Sequence, residues 1–177
     1  TCEGSGPGLV LLHGTGGDGF SNWGHLVRHF SDRYTVVCPD YAGSGASEDD
    51  GSALSVAALA EQAIAAAQAA GLASFDLVGY SLGAVVATHI AAEHPALVRS
   101  LVLVAGFAGG PEPRSQLQFG LWHDLIGSDR DAMARLILLT GFSPAFLSGQ
   151  STDELAKRQA AILKLTRWEG MARQTEL

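Results

Sequence analysis

An α/β fold, with a parallel sheet flanked by helices and a helical cap after its fourth strand, is predicted by three observations. Apolar runs alternate with helical patterns through residues 1–106, and that alternation belongs to parallel sheets with right-handed crossovers. It stops after Gly106, and from Ser115 to Leu177 no strand pattern returns. Within the alternating part lies Phe75 to Ala92, an apolar run joined to a small-residue helix by one serine between glycines.

The elements follow in order. Thr1 to Gly8 is a glycine-rich lead-in. Gly8-Leu9-Val10-Leu11-Leu12 is a continuous apolar run, as in a strand buried on both faces. It runs into His13-Gly14-Thr15-Gly16-Gly17-Asp18-Gly19. From Asn22 to Phe30, Trp23, Leu26, Val27 and Phe30 recur at helical spacing. Tyr34 to Cys38 reads as the second strand, closed by Pro39-Asp40, and the loop Tyr41 to Ser47 follows. Ala53 to Ala70 is alanine-rich and helical, stopped by Gly71. Phe75 to Val78 is the third strand, Leu82 to Ala92 a helix ended by His94-Pro95, and Val98 to Ala105 the fourth strand. Gly109-Gly110-Pro111-Glu112-Pro113 is a breaker cluster. Gln116–Ile126, Asp129–Leu139 and Thr152–Arg167 read as helices, the last opened by Thr152-Asp153-Glu154-Leu155. Residues 1–106 thus read as the core and 107–177 as the cap.

Composition bounds the function. The chain has 177 residues, enough for one domain with a core, and it is 47% hydrophobic and 16% charged. A net charge of −7 argues against nucleic acid or an anionic membrane as partner. No apolar run reaches the length of a membrane span. The two cysteines, Cys2 and Cys38, are too few for a disulfide framework and match no metal-ligand spacing, so a cytoplasmic protein without metal is expected.

Gly79-Tyr80-Ser81-Leu82-Gly83 carries the chemistry. A serine on so sharp a strand-to-helix turn is held in a strained backbone conformation. The residues two before and two after it come close together, so side chains there would clash and glycine stands at both places. The hydroxyl is left exposed at the positive end of a helix dipole. Here the sequence resembles the α/β-hydrolase family, whose nucleophile elbow has this pattern in this strand–turn–helix context. Pro39-Asp40-Tyr41-Ala42-Gly43-Ser44-Gly45 matches a further loop common in that family, which makes Asp40 structural. The resemblance implies serine-dependent hydrolysis of an ester, thioester or similar acyl bond in a small-molecule substrate, with no cofactor. Ser81 would attack, and the backbone N–H groups of Leu82 and Thr15 would hold the oxyanion. His13 would brace its loop rather than move protons. The large apolar residues of the cap, among them Phe107, Phe119, Trp122, Leu125 and Phe142, are expected to close a pocket over Ser81, with Phe107 and Trp122 binding substrate.

Gly14-Thr15-Gly16-Gly17-Asp18-Gly19 also matches the dinucleotide-binding pattern, with Asp40 where the ribose-binding acid would stand. Asp18 would then put a negative charge among phosphates, the helix is expected after the glycines rather than among them, and Ser81 would have no purpose. The hydrolase reading is preferred.

A triad in this fold runs Ser, then Asp or Glu, then His. After Ser81 come only His89, His94 and His123. His89 lies two turns along the elbow helix, His94 at that helix's far end, and His123 in the cap. All three are expected to be structural or superficial. The resemblance places the acid and the histidine after strands that follow the cap. The sequence therefore leaves open a fragment, a partner chain that carries the remainder, or a ligand-binding relative without hydrolysis. Cofactor-free perhydrolase chemistry on the same residues is a further alternative.

Overall fold

The computed structural model describes residues 1–107 and 112–177. Five strands form one sheet: β1 (Cys2–Glu3), β2 (Gly8–Leu12), β3 (Thr35–Val37), β4 (Phe75–Tyr80) and β5 (Val98–Val104). Their order across the sheet is β1-β3-β2-β4-β5. The pairs β3–β2, β2–β4 and β4–β5 are parallel. The sheet is nonetheless mixed, because β1 pairs antiparallel to β3.

Three helices pack on this sheet: α1 (Gly19–Val27), α2 (Val56–Ala69) and α3 (Leu82–Glu93). β2 is buried along its whole length. Its alternate residues serve two cores: Val10 and Leu12 meet Leu59, Ala63, Val86 and Ile90 on one face. Leu9 and Leu11 meet Trp23 and Val27 on the other. A run of five apolar residues is therefore what a strand sandwiched between helices requires.

α1 starts three residues before the expected helix. The Asp18 side chain accepts the Ser21 N–H while the Ser21 hydroxyl accepts the Asp18 N–H, and this capping box sets the boundary. β4 runs two residues past Val78, up to the serine itself. Between β4 and β5 the register slips, so that Phe75 faces Val98 but Asp76 faces Ser100. Arg99, skipped by the pairing, turns its guanidinium onto Asp76 at 2.8 Å and the Gly8 carbonyl at 2.9 Å.

The helical segment comprises α4 (Pro113–Ser128), α5 (Arg130–Gly141), α6 (Pro144–Ser148), α7 (Thr152–Leu165) and α8 (Trp168–Thr175). Of the breaker cluster, Gly109, Gly110 and Pro111 lie outside the described residues. Glu112 caps α4 by accepting the N–H groups of Arg114 and Ser115. The helix expected over Thr152–Arg167 is α7, which ends two residues early at Leu165; the chain turns extended at Thr166, and α8, which was not expected, begins at Trp168. Ile126, Met133, Trp168 and Met171 form the buried centre of this segment. Among the described residues no helix is long and apolar enough to cross a membrane.

Candidate active site

Ser81 stands between β4 and α3 with φ 53° and ψ −118°, a backbone conformation that side chains rarely tolerate. The reason lies in the packing around it. A Cβ on Gly79 would collide with the Gly83 carbonyl and the Ala84 backbone, and a Cβ on Gly83 would collide with the carbonyls of Leu12 and His13. Neither glycine has room for a side chain. The Ser81 N–H donates to Val104 O at 2.9 Å, which ties the turn to the end of β5. Ser81 is the N-cap residue of α3, yet its side chain makes no capping bond. The hydroxyl is left for other use at the positive end of the α3 dipole.

The His13–Gly17 loop lies against this turn. A Cβ on Gly14 would sit 3.1 Å from the Ser81 Cβ. The loop's N–H groups are nearly all committed: Gly14 donates to Asn22 Oδ1 at 2.9 Å, Gly16 to Gln174 Oε1 at 2.9 Å, and Gly17 to Gly14 O at 3.2 Å. Among the described residues the Thr15 N–H makes no hydrogen bond, and neither does that of Leu82, the first residue of α3. Two strong donors beside a serine hydroxyl are thus left without a partner from the protein.

His13 is fully buried behind the loop. Its Nδ1 meets Gly14 O at 2.9 Å and its Nε2 meets the Tyr41 N–H at 3.2 Å. A carbonyl only accepts and an amide N–H only donates, so the ring is neutral with its proton on Nδ1. Burial holds its pKa below the ordinary 6.5. Since Gly14 C=O is held by His13 Nδ1–H and by Gly17 N–H, the same trans peptide directs the Thr15 N–H the opposite way.

Asp40 accepts the Gly19 N–H at 2.7 Å and the Ala46 N–H at 3.3 Å, tying the loop after β3 to the start of α1. Both carboxylate oxygens are thus used in bracing loops. Cys38 is buried at the end of β3, and burial pushes its thiol up to about 11.

A cavity of about 570 Å³ opens beside Ser81. Thr15, Gly16, Tyr80 and Ala105 line it from the sheet side, and Trp122, Leu138, Phe142, Arg158, Ile162 and Met171 from the helical segment. Of the two residues expected to bind substrate, Trp122 lines this cavity. Phe107 stands outside the lining, half turned to solvent, with its ring 5.2 Å from that of Phe119. Phe119 packs edge-on to Trp122, and Leu125 belongs to the interior of the helical segment. Ala105, with φ 50°, is the second strained non-glycine residue among those described and lies in the same wall.

The three later histidines stand away from the serine. His94 pairs with Glu61 at 3.4 Å. His123 meets Thr175 Oγ1 at 3.3 Å and Glu176 at 3.8 Å, so it links α4 to the end of α8. His89 lies on α3, half-buried, two turns beyond Ser81. Among the described residues no group of three or more His, Cys, Asp or Glu could hold a metal ion.

Sequence reasoning missed α8, which is bonded to the loops around the serine at several points. Arg167, at its start, donates to the carbonyls of Gly45 and Ser47. Arg173 pairs with Asp49 and donates to the Ser52 carbonyl. A Cβ on Gly170 would collide with Gly43 O, and one on Gly16 would meet the Met171 side chain. Trp168 and Met171, three residues apart, were the available signal for an amphipathic turn.

The chain spans 66% of the length of a pyrrolizixenacetamide deacetylase from Xenorhabdus hominickii, with which it is 52% identical over 175 residues, 99% of this chain. A putative carbamate hydrolase RutD of Escherichia coli O157:H7 is 39% identical over 105 residues, 57% of this chain and 38% of that protein. Among solved structures, the α/β hydrolase MGS-M2 from a Medee basin deep-sea metagenome library superposes with a TM-score of 0.87 at 21% identity, over 99% of this chain and 66% of that one. The enol-lactonase of Burkholderia xenovorans LB400 superposes at 0.81 and 21% identity, over 99% and 67%. At such identities the structural likeness speaks for the fold. The family model described as alpha/beta hydrolase fold matches residues 7–168, and with nearly the whole chain so covered, this protein belongs to the α/β-hydrolase fold family.

Proposed function

We propose that this chain carries the nucleophile and oxyanion-binding part of a serine hydrolase that cleaves acyl bonds, its helices 113–175 serving as the cap. The observation that carries this reading is the pairing of a strained, uncapped Ser81 with two uncommitted N–H groups, those of Leu82 and Thr15. The Ser81 hydroxyl attacks the substrate carbonyl carbon, and the carbonyl electron pair moves onto oxygen. The two N–H groups receive that charge without reorganising, because their peptides are already fixed. The leaving group departs with the serine proton, and water then releases the acyl group by the same route. His13 is a positioning residue here, since its Nδ1–H anchors the peptide that bears the Thr15 N–H.

The reading requires a histidine as proton carrier and a carboxylate to orient it, and among the described residues no imidazole is hydrogen-bonded to Ser81. His94 and His123 are engaged elsewhere, and His13 has neither nitrogen to spare. The substrate class includes esters and thioesters, and the 52% identical deacetylase extends it to acetamides. The cavity wall is mostly apolar, which favours acyl or aromatic groups over charged ones, with about 0.8 kcal/mol for each buried methylene.

In the full-length protein, a fluorophosphonate probe is expected to add to Ser81 alone. Ser81→Ala is expected to abolish labelling and to lower kcat by a factor on the order of 10⁶. Labelling or turnover that survives Ser81→Ala overturns the reading.

A further inference from the structure

We propose that Gln174, on the last helix of the cap, is a positioning residue for the oxyanion-binding loop. The proposal rests on the serine-hydrolase reading and extends it to a residue 93 positions beyond the nucleophile elbow. Gln174 is 3% exposed, although glutamine is ordinarily a surface residue. Its amide is used at both ends: Oε1 accepts the Gly16 N–H at 2.9 Å, and Nε2 donates to Ser44 Oγ at 2.9 Å. One side chain thus joins three segments: the loop after β2, the loop after β3, and α8.

The bond to Gly16 matters for its place in the loop. The Gly14–Thr15 peptide is anchored through its carbonyl by His13 and Gly17. The Thr15–Gly16 peptide, next along the chain, is anchored through its N–H by Gln174. The peptides on either side of the Thr15 Cα are therefore both pinned. Release of the second would let φ and ψ of Thr15 relax together, and its free N–H would swing away from the point where charge develops. Gly16 adds to this, because its φ of 70° admits several conformations and needs an outside hold to select one.

The position of Gln174 is itself set by the cap. Met171, one turn earlier on α8, is 1% exposed, touches Gly16 and also lines the cavity. Trp168 and Met171 fix the helix in the interior of the cap, while Arg173 ties it to Asp49 and Ser52. The cap therefore completes the oxyanion-binding loop as well as covering the substrate.

The test compares parent, Gln174→Met, Ser44→Ala and Ser81→Ala in the full-length protein. It reads kcat, KM and Ki for phenylboronic acid, which forms a tetrahedral adduct on the serine. Gln174→Met keeps the side-chain volume and removes both bonds. It is expected to lower kcat by about 10- to 100-fold, as misplacement by an ångström does. The boronate affinity is expected to fall with it, and KM to stay within about twofold, because the contacts are made in the transition state. Ser44→Ala frees the amide to turn and is expected to shift kcat and Ki the same way by a smaller factor, which keeps the test open where Gln174→Met does not fold. Unchanged kcat and boronate affinity in folded Gln174→Met overturn the proposal. A loss confined to KM or to melting temperature, in either variant, does so as well. Activity that survives Ser81→Ala would instead overturn the hydrolase reading itself.

Discussion

His13 was expected to brace its loop, and the geometry gives that role a pH dependence. The ring is fully buried and neutral, and burial holds its pKa below 6.5. Above pH 6.5 it is neutral in both folded and unfolded chains, so its contribution to stability is constant and fully present. Below that, the unfolded chain takes up a proton that the folded site refuses. Stability then falls by up to about 1.4 kcal/mol per pH unit until the folded pKa is reached. Urea midpoints measured between about pH 7.5 and 5 in parent and His13→Gln read this term as the difference between the two slopes. His13→Gln is expected to flatten the slope, and an unchanged slope would assign it elsewhere. At this scale the strained turn at Ser81 was legible because Gly79 to Gly83, five residues of local sequence, imply it, whereas the roles given to Leu82 and Thr15 came from the resemblance. Gln174 was not: its bond to Gly16 spans 158 positions, and nothing local distinguishes it from any polar residue on a helix. Phe107 was singled out for its size alone, and size does not say which way a ring faces.

The strand-to-helix turn between β4 and α3 shows how an element depends on two missing side chains. Gly79 and Gly83 each face backbone, which cannot move aside. Gly79→Ala is expected to destabilise by about 3 kcal/mol or more, since the added methyl enters a filled core. Gly120, in the interior of α4, has nothing within 4 Å of an added Cβ. Gly120→Ala is expected to stabilise by about 0.5–1 kcal/mol through helix propensity alone. Chemical unfolding of the two variants checks both signs, and a neutral Gly79→Ala would refute the packing argument. The four parallel strands were legible because each is a short apolar run beside a breaker. α1 began early because a capping box outweighed hydrophobic spacing. α7 ended two residues before the expected Arg167, because Leu165-Thr166-Arg167 holds neither glycine nor proline to mark the boundary. There the loops of the core, through Arg167 and Gln174, decide where the chain turns.

Across the whole molecule, the sheet ends on one side in an apolar strand. β5 is an edge, and Leu101, Val102, Leu103 and Val104 on it are 38–51% exposed, although the run is as apolar as β2. An apolar strand with one unpaired side is a template for association. The 177-residue chain alone is therefore expected to self-associate, and Val102→Lys with Leu103→Lys to reduce this, both read by light scattering. The same chain carries Ser81 and the two free N–H groups, but among the described residues no imidazole is hydrogen-bonded to the serine. Its hydrolysis is expected to fall on the order of 10⁶ below that of the full-length protein, keeping roughly 10³ over water from oxyanion binding and proximity. The two effects are separable. The lysine substitutions act on association and leave the missing base missing, so a monodisperse short chain is expected to stay slow. Adding the remaining sequence, in cis or as a second chain, is expected to restore both turnover and a sheet that no longer scatters. Full turnover by the short chain, lost in His123→Ala, would mean that α4 swings its imidazole from Thr175 to Ser81 and that the base lies within the cap.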